Sequence, residues 1–340
     1  RAGRSIGSAI CRQIVLFKPE KLILFENAET PLFLIEKELM GICSDIPIVS
    51  IIGDIRNPAR IKVIFDEQMP QVVFHAAAYK HVPMMEHNPA EAVNNNVRGT
   101  KLLADAANHF GVETFVMIST DKAVKPTNVM GASKRAAELY IQSLSKKSNT
   151  RFVTTRFGNV LGSNGSVIPT FKEQIKNGGP VTVTHPEVTR YFMTIPEATQ
   201  LVLQAGSMGV GGEIYLFDMG EPVKIVDLAE ELIRLSGLQP HEDIEIVYTG
   251  LRPGEKLYEE LLLAEEGTLP TRHKKICVAS SFPPTHDLLR RQLDKLFAAA
   301  KALDLVEVKT QLRVIVPEYQ PVEHKQTVKV IPHPATVVHE

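Results

Sequence analysis

The chain has 340 residues, 44% of them hydrophobic, and its 38 Lys and Arg against 39 Asp and Glu leave a formal net charge of −1 at pH 7. That apolar content can build a large core in one large or two interlocked domains, and the balanced charge argues against a nucleic-acid or membrane-surface footprint. Cys11, Cys43 and Cys277 have neither metal-ligand spacing nor an even count, so no metal and no disulfide framework is expected, and the compartment is read as reducing and cytoplasmic.

The chain starts at Arg1 instead of Met, and Ala2-Gly-Arg-Ser-Ile-Gly-Ser8 reads as the phosphate turn that follows a first β-strand. The sequence is therefore expected to be a fragment without that strand. Gly3, Ser5, Ile6 and Gly7 are cofactor candidates, because small residues let the backbone of a helix N-terminus approach a pyrophosphate. Arg1 and Arg4 would crowd that path, although a guanidinium also binds phosphate. Lys21-Leu-Ile-Leu-Phe25 reads as a strand closed by Glu26. Glu26 stands about twenty residues past the turn, where an acidic side chain takes the ribose hydroxyls of NAD and repels a 2'-phosphate; the alternative is a strand-end charge in solvent. NAD is expected, with NADP possible.

Further strand runs follow at Ile46–Ile52, Val72–Phe74, Thr114–Ile118 and Phe152–Thr155, with helical patterns between them. This alternation predicts an α/β fold with a doubly wound parallel sheet of Rossmann type. After the Val72 run, Ala76 and Ala77 are small enough for a cofactor to lie against the backbone, and Lys80 and His81 can line a sugar pocket. Thr120, Asp121 and Lys122 end the Thr114–Ile118 run, where open α/β sheets keep their ligands. Met130 and Lys134 are four residues apart and share a helical face. A Tyr in place of Met130 would give a phenolic base tuned by the lysine, and a thioether gives none. Acid and base are then expected from the strand end, unless Asp121 caps its loop, Lys122 is solvated and Met130 is core.

Beyond about residue 160 Gly and Pro become more frequent, and helices are expected near 196–208, 224–236 and 286–303. The expected domains are 1–160 for NAD, 161–280 for a smaller substrate lobe interleaved with the first, 281–319 as a helical segment and 320–340 as a disordered tail. No apolar run approaches the length of a membrane span, and no secretory signal is present.

Phe74-His-Ala-Ala-Ala-Tyr-Lys-His-Val-Pro83, Ser119 to Lys134, Arg156-Phe-Gly-Asn-Val160, Gly162-Ser-Asn-Gly-Ser-Val-Ile-Pro169 and Gly250-Leu-Arg-Pro-Gly-Glu-Lys256 occur in that order. Over residues 1 to about 280 the chain resembles the CapD-like polysaccharide-biosynthesis family, an extended short-chain dehydrogenase/reductase branch that contains UDP-N-acetylglucosamine 4,6-dehydratases. Larger, usually membrane-anchored members carry Met at the catalytic Tyr position. The resemblance puts Thr120, Met130 and Lys134 at the Ser/Thr-Tyr-Lys positions, with Lys134 also on the cofactor, and makes Asp121 and Lys122 the dehydratase additions. Lys122 would take the C5 proton and Asp121 would protonate the C6 leaving group, while the 4-hydroxyl proton could go to Lys134, to Asp121 or to water relayed through Thr120.

The same resemblance implies Asp54 and Ile55 at the adenine, Asn96 near the active site and Asn159, Arg190 and Arg252 for the substrate diphosphate. Glu255 would take ribose hydroxyls, and Ser166 and Val167 would shelve the uracil. Asn96 has an alternative as a buried amide bridging two strands, and each Arg one as a surface ion pair. The implied partner is a UDP-N-acetylhexosamine, in capsule, O-antigen or other surface-glycan synthesis. A homo-oligomer is expected, and a parent protein anchored at the cytoplasmic face of the inner membrane is implied. A 4-epimerase, a C5-inverting dehydratase and a catalytically silent sugar-nucleotide sensor remain as alternatives.

Overall fold

The computed structural model describes residues 2–260, 267–280 and 283–322. After the opening turn, Ser5–Ile14 (α1) leads to Leu22–Glu26 (β1), Glu29–Ile42 (α2), Ile48–Ile52 (β2), Pro58–Gln68 (α3) and Val72–His75 (β3). Two short helices, Val82–His87 (α4) and Pro89–Ala92 (α5), run through a π-helical turn at Val93–Arg98 into Gly99–His109 (α6). Then come Thr114–Ile118 (β4), a 3-10 turn at Asp121–Ala123, Val129–Ser145 (α7) and Arg151–Arg156 (β5).

The second half is more broken, with Asn159–Val160 (β6), Val167–Lys176 (α8), Val181–Val183 (β7), Thr189–Arg190 (β8), Phe192–Met193 (β9) and Ile195–Met208 (α9). Ile214–Phe217 (β10), Val223–Lys224 (β11), Ile225–Leu235 (α10), Ile246–Tyr248 (β12), Thr268–Pro270 (β13) and Ile276–Ala279 (β14) follow. His286–Ala302 (α11) and Leu305–Ile315 (α12) are the last helices among the described residues.

The main sheet has the order β13-β14-β10-β5-β4-β3. β3, β4, β5 and β10 are parallel, with Thr114 opposite Val72 on one side and Arg151 on the other, while β13 and β14 are antiparallel. β1 and β2 form their own parallel pair, in register from Leu22–Ile48 to Glu26–Ile52. Among the described residues no strand pairs with the remaining edges of β1 and β3. Buried faces of α3, α6 and α7 cover one side of the sheet, joined by α11 and α12, and α9 with α1 covers the other. Both faces are apolar, as Phe115, Val116, Phe152 and Val153 are fully buried on adjacent strands, the mark of a sheet enclosed by helices.

The smaller lobe packs α8 and α10 on the β7–β12 pair around Phe171, Val181, Val183 and Ile233. β10 and β14 belong to the main sheet although they lie beyond residue 160, so the two halves of the chain interlock. Residues 320 to 322 depart from the tail expectation, because Gln320 and Val322 donate backbone hydrogen bonds to the carbonyls of Pro126 and Thr127. Positions 323–340 lie outside the described residues.

Candidate active site

The parallel strands β4 and β5 stay paired beyond their regular ends, with Ser119 N donating to Thr155 O and Asp121 N to Phe157 O. This extension carries Thr120 and Lys122 to the floor of a cleft of about 960 Å³, with Asp121 directly behind them. Thr120 caps the 3-10 turn by accepting from Lys122 N, and its hydroxyl donates to Asp121 Oδ1 at 2.8 Å. Lys122 Nζ donates to the same oxygen at 3.0 Å and to Asn159 Oδ1 at 3.3 Å, and stands 3.6 Å from Glu259 Oε1. Asp121 is fully buried behind the cleft wall, and its Oδ2 has no hydrogen-bond partner among the described residues. Burial alone favours the neutral Lys122 amine, but Asp121 and Glu259 outweigh it and hold the ammonium above the usual lysine range, against the opposition of Arg190.

Helix α7 begins at Asn128, whose side chain accepts from Gly131 N at 2.7 Å. A Cβ on Gly131 would lie 2.1 Å from the Lys122 carbonyl oxygen, so glycine lets the helix start against the 3-10 turn. Met130 and Lys134 then both face the cleft. Lys134 Nζ donates to Ile118 O at 2.8 Å, and burial pushes its pKa down to about 8 despite the countering charge of Glu138. Beneath Lys134, Glu138 accepts from Ser119 Oγ at 2.5 Å, from Arg156 at 2.6 Å and from Arg135 at 3.0 Å. The two arginines draw the Glu138 pKa down to about 2 against the effect of burial.

At the other end of the cleft, Ser5, Ile6 and Gly7 present the first turn of α1, beside Ala76 and Ala78. The N-cap, Arg4, makes no side-chain cap, so these amides meet the requirement for an anion-binding helix end. Lys80, whose Nζ reaches Ser163 Oγ at 3.3 Å, His81, Asn159, Ser166 and Val167 line the middle, and Arg190, Arg252 and Glu255 the far wall. Arg190 is almost fully buried and donates to the carbonyls of Thr189, Lys256 and Leu257 and to Glu255 Oε1 at 3.0 Å. It clamps the 255–257 segment. Arg252 is exposed, and its Nε donates to Glu255 Oε2 at 3.2 Å. Among the described residues no group of His, Cys, Asp and Glu could hold a metal ion.

Several expected site residues lie off the cleft. Gly3 packs on Pro31 and donates to Glu26, whose buried carboxylate also accepts from the amides of Asn27 and Ala28. Glu26 is thus neither solvated nor open to a ribose. Asp54 receives the Arg56 guanidinium at 2.7 Å, and Ile55 and Ala77 are buried, Ile55 against Gly99. Asn96 is a buried bridge, accepting from Tyr79 N and donating to Tyr79 O and Ser133 Oγ. In the other direction, sequence reasoning missed Glu259. It reaches Lys122 from an irregular segment, where no periodicity could have singled it out.

The doubly wound sheet with its strand-end Asp-Lys pair and lysine-bearing helix defines a Rossmann-fold protein of the extended short-chain dehydrogenase/reductase type. The chain belongs to the polysaccharide biosynthesis protein family, whose profile matches residues 1–281. It is 60% identical over 267 residues to the capsular polysaccharide biosynthesis protein CapD of Staphylococcus aureus, covering 78% of this chain and 44% of that protein. It therefore spans less than half the length of that relative. It is 34% identical to a UDP-N-acetylglucosamine 4,6-dehydratase (inverting) of Campylobacter jejuni, over 74% of this chain and 72% of that protein. It is 41% identical to a UDP-glucose 4-epimerase of Rickettsia rickettsii, over 63% and 62%. The X-ray structure of Pen from Bacillus thuringiensis is similar at a TM-score of 0.75 and 36% identity, covering 84% of this chain and 87% of that one.

Proposed function

We propose that this chain removes water across C5 and C6 of a UDP-N-acetylhexosamine, with UDP-N-acetylglucosamine as the first substrate to test, in the synthesis of a surface polysaccharide. The observation that carries this reading is the Asp121-Lys122 pair at 3.0 Å, with Lys122 on the cleft floor and Asp121 directly behind it. A 4-epimerase acts at C4 alone and needs no such pair.

The first turn of α1, the small Ala76 and Ala78 and the neighbouring Lys134 fit NAD, with NADP as the alternative, and the bound cofactor would accept a hydride from C4 and return it at C6. Oxidation at C4 acidifies C5. Lys134 is the group best suited to take the 4-hydroxyl proton, because it lines the cleft and is partly neutral near pH 8. Asp121 is already engaged by Thr120 and Lys122, and Met130 has no proton to exchange. For the elimination, a proton passing from Lys122 to Asp121 would turn a charged pair into an amine base and a carboxylic acid. The amine takes the C5 proton, and the acid, lying behind the cleft wall, protonates the departing C6 hydroxyl through Thr120, whose hydroxyl touches Asp121 Oδ1 and lines the cleft. The uridine diphosphate would lie along Lys80, Asn159, Ser166, Val167 and Arg252, with Arg190 and Glu255 shaping that wall.

A second reading, 4-epimerisation, is favoured by the 41% identity to the Rickettsia rickettsii protein. UDP-N-acetylglucosamine carrying deuterium at C4 separates the two. Dehydration yields a 4-keto-6-deoxy sugar with the label at C6, and C4 epimers retaining the 6-hydroxyl would replace this reading with the second. The 49% identity to a protein named as an uncharacterized membrane protein of Methanocaldococcus jannaschii is consistent with an anchored whole protein. Among the described residues no helix is long and apolar enough to cross a membrane.

A further inference from the structure

Glu259 belongs to none of the roles above. It comes from the irregular stretch after β12, far along the chain from Lys122, yet its side chain is only 4% exposed and it lines the cleft. Oε1 lies 3.6 Å from Lys122 Nζ and 3.8 Å from Arg190 Nε, and Oε2 has no hydrogen-bond partner among the described residues. A carboxylate is not buried this deeply unless cations compensate it. Of its two nearest cations, Arg190 is already taken by Glu255 and three carbonyls, so Lys122 is the one that Glu259 governs.

We propose that Glu259 is a positioning residue that fixes the charge of Lys122, holding it as an ammonium against loss of its proton to solvent, so that the C5 base is freed by transfer to Asp121. This rests on the reading of Lys122 as that base. The charged groups around Lys122 are Asp121 from its own turn, Glu259 and Lys256 from the 251–260 segment and Arg190 from β8, with Lys134 of α7 on the same cleft. Two of the five are carboxylates, and those two lie nearest the ammonium. If Lys122 lost its proton to solvent, Asp121 and Glu259 would be left buried with their shared counter-ion gone. The raised Lys122 pKa agrees in direction with this geometry. Transfer of the proton to Asp121 lessens that cost, because it discharges one of the two carboxylates while freeing the amine. Glu259 thus makes the internal transfer the easier route to a neutral base.

The test is NMR of protein labelled at the lysine ε-carbons, with the Lys122 resonance assigned by its loss in Lys122→Arg. In wild type the resonance should keep its ammonium position up to pH 10. In Glu259→Gln, which keeps shape and removes charge, the midpoint should fall by about one pH unit or more. Glu259→Asp should lower it by less, and serves if the Gln variant does not fold. The same variants are followed by solvent exchange at C5 of UDP-N-acetylglucosamine with NAD present. In the variants C5 exchange should gain a component that rises with pH through the lowered midpoint, whereas a purely structural role would lower the whole profile in place. An unmoved Lys122 resonance in both variants overturns the proposal, whatever the activity. A shifted resonance in a protein whose wild type yields no dehydrated product supports the control of Lys122 and sinks the dehydratase reading instead.

Discussion

Met130 and Lys134 occupy one face of α7 and both line the cleft, yet only the amine can carry a proton. Met130→Leu keeps the apolar volume, so turnover should stay within about tenfold of wild type. Lys134→Met should lose a hundredfold or more, in the range of a missing general base. Because the Lys134 pKa is lowered to about 8, C4 oxidation should climb as pH rises through that value and then level off. The stability signature has the same origin. Between about pH 8 and the unperturbed value of about 10.4 the unfolded chain keeps a proton that native Lys134 has released, so this residue's contribution grows as pH rises across that window. Urea midpoints measured from pH 8 to 10 should rise less in Lys134→Met than in wild type; equal slopes would remove the burial argument. Thr120, Lys122 and Lys134 were legible in the sequence because strand-end position and helical spacing are local properties. Glu26 and Asn96 were legible as positions but not as environments. Their oxygens are taken by backbone amides, some of them from distant parts of the chain, which no spacing rule reveals.

At the scale of elements, the site depends on how closely α7 approaches the turn that follows β4. Gly131 is the contact, since an added Cβ would sit 2.1 Å from a backbone oxygen that cannot rotate away. Gly131→Ala should therefore displace either α7 or the 3-10 turn, at a cost of about 1 to 3 kcal/mol for overpacking. Lys134 and Lys122 would separate, and activity should fall further than stability does. Thermal melts and turnover of this one variant check the point, and an active, fully stable Gly131→Ala would show that the approach is not tight. The strands β1 to β5 were readable to within a residue or two as β-branched and apolar runs between turn signals. So were the helices at Ile195–Met208, Ile225–Leu235 and His286–Ala302. The two-residue strands β6, β8, β9 and β11 were not, because so short a segment has no period to detect. These brief pairings nevertheless carry Asn159 and Arg190 to the cleft.

Across the whole molecule, one buried charge cluster connects layers that the chain visits at very different times. Glu138 of α7 holds Ser119 at the end of β4, Arg156 at the end of β5 and Arg135, which in turn reaches Glu318 beyond α12 at 2.9 Å. Ser119 immediately precedes Thr120, Asp121 and Lys122, so the cluster supports the cleft floor from behind. Its energetics depend on completeness. Glu138→Gln removes the carboxylate that faces the fully buried Arg156 and should cost about 3 to 5 kcal/mol, whereas an apolar double replacement such as Glu138→Leu with Arg156→Met removes both charges and should cost less than the two single changes together. Because native Glu138 titrates near 2, below an unfolded carboxyl at about 4.3, its stabilisation is present above the unfolded value and is lost as pH falls through the native one. Urea midpoints at pH 7 of wild type, Glu138→Gln, Glu138→Leu, Arg156→Met and the double variant, and of wild type and Glu138→Gln between pH 5 and 2, test both statements. Strict additivity in the double variant would mean that the cluster is a set of independent bonds, and the link from the C-terminal segment to the cleft floor would then carry no energy.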